Sequence, residues 1–191
     1  MANSDNARGF KPVKTLDGRP YNGFVKRAYV PSTDGNAIFI GSPIKFAGSA
    51  DSRGVPTMAV AATNEAAAGV MVAVDAATRE SALHRTADVG MYIFYVPVQN
   101  MLFEIQEDSD GNALDADSVG SNASFTAESG NTTTGLSTIE LDSDTAANTG
   151  TLSLQIVEMV DRDDNEIGDN AKWLVRFNDI QFANQIAGTA E

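Results

Sequence analysis

At 191 residues and a net charge of −13, the chain is long enough to bury about 70% of the surface its unfolded form exposes. It is also too acidic to bind nucleic acid through counterion release. The absence of cysteine excludes disulfides, thiolate nucleophiles and cysteine-bound metals. The opening MANSDNARGF has no apolar leader and no run reaches membrane-spanning length, so a soluble protein from a reducing compartment, with no membrane partner, is expected.

The charge is unevenly spread. Residues 1–45 carry seven basic side chains against three acids, whereas residues 46–191 carry six against twenty-three. That split describes a basic segment attached to an acidic body. The segment suits an acidic protein surface, that of a neighbouring copy or of another protein; the alternative is that it folds back on its own body.

In chain order, residues 1–30 contain scattered Gly, Pro and Asn and show neither a period of 2 nor one of 3.6. They are expected to form an extended basic N-terminal arm, ordered by lying on something, with Phe10 and Tyr21 among its anchors. Strands are expected at 37–40, 44–47 and 55–61, the last with Pro56 at its start. A turn over 64–69 leads to a strand at 70–74, because Gly69 interrupts the alanine run. A short helical turn is placed around 76–83, with Asp75 as its cap.

The central run, 90–108, reads GMYIFYVPVQNMLFEIQED. Met91 to Val96 is apolar on both faces, so both need cover; after the break at Pro97, Phe103 and Ile105 alternate with Glu104 and Gln106. Residues 110–150 are dominated by small polar side chains, with strands placed near 119–127 and 138–141. Residues 151–159 alternate cleanly, residues 172–177 put Trp173, Val175 and Phe177 on one face, and the two should pair antiparallel across the charged loop 161–170. The tail, from 183, is expected to leave the body, with Ile186 as its last apolar side chain, and to reach a neighbour.

The sum is an all-β chain of about eight to ten short strands, forming a β-sandwich or small β-barrel, with a jelly roll as one variant. Residues 31–182 form its single domain, between the N-terminal arm and the C-terminal tail.

Chemistry is sparse in this sequence. The one histidine, His84, reads as a solvated loop residue, with no G-x-S-x-G nearby. Asp108, Asp110 and Asn112 have the alternate spacing of a calcium loop, but Gly111 is misplaced for one and Val119 stands where a bidentate Glu belongs. Asp161, Asp163, Asp164, Glu166 and Asp169 match no ligand pattern, so both clusters read as solvated turns. No catalytic, cofactor or metal site is expected, and a carboxylate-dependent hydrolase remains a remote alternative.

Four stretches taken together carry a resemblance: MANSDNARGFKPVKTLDGRPYNG with Tyr29, Val30 and Pro31 after it; IFIGSPIKFAG; Tyr92 to Val96 with LFEIQED; and MVDRDDNEIGDNAKWLVRFN. They resemble the head decoration, or cement, proteins of tailed bacteriophages over roughly residues 1–182, and least over 110–150. The resemblance implies a β-barrel or sandwich with arms and a non-catalytic virion protein, made in the bacterial cytoplasm and bound to the outer capsid surface. There it would clamp major capsid protein subunits together, as a homodimer or homotrimer. A tail or head-to-tail connector protein is the alternative. Partner contacts are then expected from Arg8, Phe10, Lys11, Lys14, Tyr21, Lys26 and Arg27 in the arm. Tyr92, Phe94, Glu104 and Glu107 in the central strands complete the set.

Overall fold

Thirteen short strands organise the chain in a computed structural model that describes residues 3–75, 82–127 and 129–182. They are β1 (Lys11–Thr15), β2 (Lys26–Val30), β3 (Pro43–Ala50), β4 (Pro56–Val60), β5 (Gly69–Val74), β6 (Met91–Pro97) and β7 (Met101–Gln106). After one 3-10 turn at Ala116–Ser118 come β8 (Asn122–Phe125), β9 (Gly130–Asn131), β10 (Leu136–Ser137), β11 (Leu141–Ala147), β12 (Leu154–Met159) and β13 (Lys172–Phe177). The chain is all-β, as its patterning predicts. The expected helical turn around 76–83 and the tail anchor Ile186 lie outside the described residues, apart from the last two positions of that turn.

Two β units share one wall. Strands β2-β4-β3-β5-β6 close into a barrel, in which only the β2–β4 pair is parallel. Strands β1-β7-β13-β12-β8-β11 form a six-stranded sheet, and β9 with β10 makes a separate small hairpin. The sheet curls until Leu141, at the start of edge strand β11, bridges Glu107 just beyond β7.

The doubly apolar run is the seam between these units. Ile93 and Tyr95 point into the barrel with Ala28, Val30, Ile44, Met58 and Met71. Val96 and Val98 point the other way, into a second core with Phe103, Ile105, Leu154, Ile156, Trp173 and Val175. Val70 of β5 joins them there, so β5 and β6 serve both cores. Between β6 and β7 the chain reverses sharply, with Asn100 at φ +65° and the Met101 N–H donating to the Val98 carbonyl at 3.3 Å. One face of Met91 to Val96 is thus covered by the barrel and Val96 by the second core, while Tyr92 and Phe94 on the other face stay half-buried.

The N-terminal stretch corrects the expectation of an irregular arm. Strand β1 is the edge of the sheet, β2 is a barrel strand, and Phe10 is 1% exposed, its ring 4.8 Å from that of Phe177. Their periodicity is hidden for local reasons. A bulge interrupts β1 between Pro12 and Lys14, and β2 is only five residues long with Lys26 and Arg27 facing water. At the other end, Ile180 bridges Ala67 and the Phe182 ring lies 5.1 Å from that of Phe46.

A close backbone crossing pins the N-terminal segment. Gly9 and Gly41 sit at φ +63° and +95°, and the Phe10 N–H donates to the Gly41 carbonyl at 3.0 Å. A Cβ on Gly41 would fall 2.3 Å from the Arg8 carbonyl oxygen, a backbone atom with nowhere to go. Gly41→Ala should therefore cost about 2–3 kcal/mol, from left-handed strain plus collision. The expected signs are a lowered urea midpoint and faster proteolytic trimming before Phe10; an unchanged midpoint would mean the crossing is dispensable.

Candidate functional site

The polar half of β7 and the N-terminal segment build a groove of about 390 Å³. Lys11 on β1 faces Glu104 on β7 in the strand register, and its Nζ lies 3.5 Å from the Glu104 carboxylate. From the other side Arg162, in the loop between β12 and β13, reaches the same carboxylate at 3.0 Å and holds Asp164 at 3.0 Å. Lys172, the first residue of β13, donates to the carbonyls of Ser4 at 2.6 Å and Asn170 at 2.8 Å. Burial, and then the neighbouring Arg162, hold its pKa below the usual lysine value. Arg8 completes the wall, its Nε donating to the Asn6 side-chain oxygen at 3.3 Å.

Gln106 fixes this arrangement. It is 4% exposed, its carbonyl oxygen accepts the Asn6 N–H at 2.8 Å, and its amide nitrogen faces Asp5, Asn170 and Glu140. Burial chiefly raises the Glu140 pKa, and Asp5 and Asp108 push it the same way. Asn3 adds a clasp, donating to the carbonyls of Glu166 at 2.8 Å and Asp169 at 3.0 Å. The segment before Phe10 is thus laid along its own body by polar contacts and terminated by one buried ring.

The residues expected to touch a partner are divided among four places. Arg8, Lys11 and Glu104 meet in the groove. Lys26, Arg27, Tyr92 and Phe94 share the β2–β6 pair on the barrel, where Arg27 lies 3.8 Å over the Tyr92 ring and 2.8 Å from Asp75, and the Tyr92 hydroxyl donates to Asp51. Lys14 pairs with Glu158, and Tyr21 is half-buried against the sheet core with its ring 5.2 Å from Phe24. Phe10 and Glu107 are corrections: both are buried, at 1% and 0% exposure. Glu107 follows the end of β7, where the chain turns the side chain inward to accept the Trp173 indole N–H at 2.5 Å.

Four further side chains escape sequence reasoning. Arg162 lies inside, and Lys172 just after, an acidic loop that counts as a block of negative charge, yet cations set in such a block are the signal of a folded-back ion-pair loop. Asn165, 7% exposed, ties that loop by donating to the carbonyls of Val160 and Lys172. His84 is half-buried instead of solvated, stacked on Phe39 with centroids 4.7 Å apart.

The acidic turn 108–112 is held against β11 by hydrogen bonds. The Ser143 hydroxyl donates to Asp108 at 2.9 Å, and the Asn112 side chain donates to Asp144 at 2.5 Å. Among the described residues no group of three or more His, Asp or Glu side chains is set to hold a metal ion. Compared with family models, with curated proteins and with solved structures, the chain matches none.

Proposed function

We propose that this chain is a structural protein of a phage virion, binding the outer capsid surface and cementing neighbouring capsid subunits without catalysis. The observation that carries this reading is the groove: a chain of net charge −13 gathers Arg8, Lys11, Arg162 and Lys172 around one open depression. Such a patch on an acidic body steers it toward acidic protein surfaces and away from nucleic acid. The segment that supplies two of those cations is already ordered, so little conformational entropy is lost on docking. Many copies on a lattice would turn modest single contacts into a firm hold. The resemblance of the N-terminal, central and C-terminal stretches to cement proteins points to the same role.

The test is co-sedimentation of the purified protein with phage heads lacking it, followed by heating. Stoichiometric binding and a raised disruption temperature are expected. Heads that neither bind the protein nor gain heat resistance would overturn the proposal, and closed rings of fixed number in solution would favour a connector instead.

A further inference from the structure

The groove's charges are not equally satisfied. Lys11 and Arg162 already share Glu104, and Arg162 also holds Asp164. Arg8 and Lys172 form no ion pair with a carboxylate among the described residues: Arg8 is exposed and held at Nε by a neutral amide, and Lys172 donates to two backbone carbonyls. An ammonium has three N–H groups and a guanidinium five, so both retain donors that can face an incoming acceptor. Among these six charged side chains, four cations face two anions, which leaves the lining with an excess of two positive charges at a polar, water-accessible site.

We infer that this groove seats a single carboxylate side chain, presented by an acidic segment of the capsid subunit and met by Arg8 and Lys172. The partner's identity rests on the capsid reading above; the carboxylate chemistry does not. A carboxylate fits better than a phosphate chain because Glu104 and Asp164 form part of the same wall. Asp5, which accepts from the Gln106 amide and faces Lys172, lowers that excess from +2 to +1, so one incoming negative charge balances it, whereas a second would stand against the acids. Asp164 is 70% exposed at its side chain, so it acts as a gate at the rim and not as a buried anchor. The N–H groups of Arg8 and Lys172 then specify the acceptor.

Two experiments separate the chemistry from the partner. First, the full chain is titrated with a hexaglutamate peptide and, separately, with inorganic phosphate, while the side-chain N–H signals of Arg8 and Lys172 are followed by NMR. Shifts with the peptide that vanish at on the order of 0.5 M salt are expected, with phosphate unable to displace it. Equal or stronger shifts with phosphate would overturn the carboxylate assignment. Second, Arg8→Glu should weaken head binding about tenfold or more, and Asp164→Asn should strengthen it. A zero-length carbodiimide should join Lys172 or Lys11 to an acid of the capsid subunit. Arg8 is exposed, so its variant should keep the parent's thermal midpoint. If Arg8→Glu binds heads as well as the parent and no crosslink forms, the groove is not the docking site although the capsid reading stands. If the parent itself does not bind heads, the capsid reading fails and the peptide titration alone decides the chemistry.

Discussion

Arg85→Met is expected to destabilise the protein by about 3–5 kcal/mol, the largest loss for any single polar side chain here. Arg85 is 0% exposed, and its guanidinium reinforces a turn that also holds the Asp34 N–H to the Pro31 carbonyl and the Asp88 N–H to the Asp34 carbonyl. Nη2 donates to the carbonyls of Pro31 at 2.7 Å and Asp34 at 2.8 Å, Nε to that of Val89 at 3.0 Å, and Nη1 to that of Asn36. The Asp34 carboxylate stands 3.4 Å away and supplies the compensating charge. Burial pulls the Arg85 pKa down, with Asp34 and Asp88 pulling it back. Methionine matches the stem and removes every donor: the carbonyls of Asn36 and Val89 lose their guanidinium partner, while those of Pro31 and Asp34 keep the Asp34 and Asp88 N–H groups and the Asp34 carboxylate keeps the Asn36 N–H. Lysine keeps the charge but has three donors and no planar fork, so Arg85→Lys should fall between the two. Urea unfolding of all three proteins checks this, and a methionine variant within about 1 kcal/mol of the parent would show that water replaces the guanidinium at little cost.

How much of this was legible depends on where each strand finds its cover. β12 and β13 were readable because Leu154 and Ile156, and Trp173, Val175 and Phe177, recur at every second position and face one shared core. β11 was not, since it reads LDSDTAA and turns Ser143 inward, where a hydroxyl bonded to Asp108 stands in for an apolar side chain. β2 was missed because Ala28 and Val30 alone face the barrel, and their packing is supplied by β4 and β6, distant in sequence. The groove has the same origin. Lys11 and Glu104 could each be picked out as charged edge residues, but their meeting with Arg162 and Lys172 follows from the β1-β7-β13 order and from no local pattern. Arg85 sat in a polar stretch and looked like any solvated loop cation, because nothing in its neighbours signals that four carbonyls converge on it.

Glu107 should make the protein less stable as pH rises toward 8, opposite to the usual behaviour of an ion-paired carboxylate. Its side chain is 0% exposed, one oxygen accepts the Trp173 indole N–H, and the other has no hydrogen-bond partner. Burial, with Asp108 and Asp169 nearby, pushes its pKa up from 4.5 to about 7, against the Trp173 and Leu114 N–H groups that favour the anion. A raised acid pKa means the folded state holds the proton more tightly than the unfolded chain does. This contribution is therefore whole below about 4.5, declines between there and about 7, and is lost above. The loss is on the order of 3 kcal/mol by pH 8.5. Glu107→Gln keeps the shape and the acceptor for Trp173 while removing the ionisation. The variant should match the parent near pH 4.5 and exceed it by up to about 3 kcal/mol at pH 8.5, measured by urea unfolding at several pH values. Taking the difference cancels Glu140 and Asp142, whose pKa values are also raised and which titrate in both proteins. Trp173 is the single tryptophan, so its fluorescence should titrate near pH 7 in the parent and stay flat in the variant. A stability difference that does not change with pH would show that Glu107 ionises freely by reaching water, and that the core opens at the end of β7 far more readily than its burial implies.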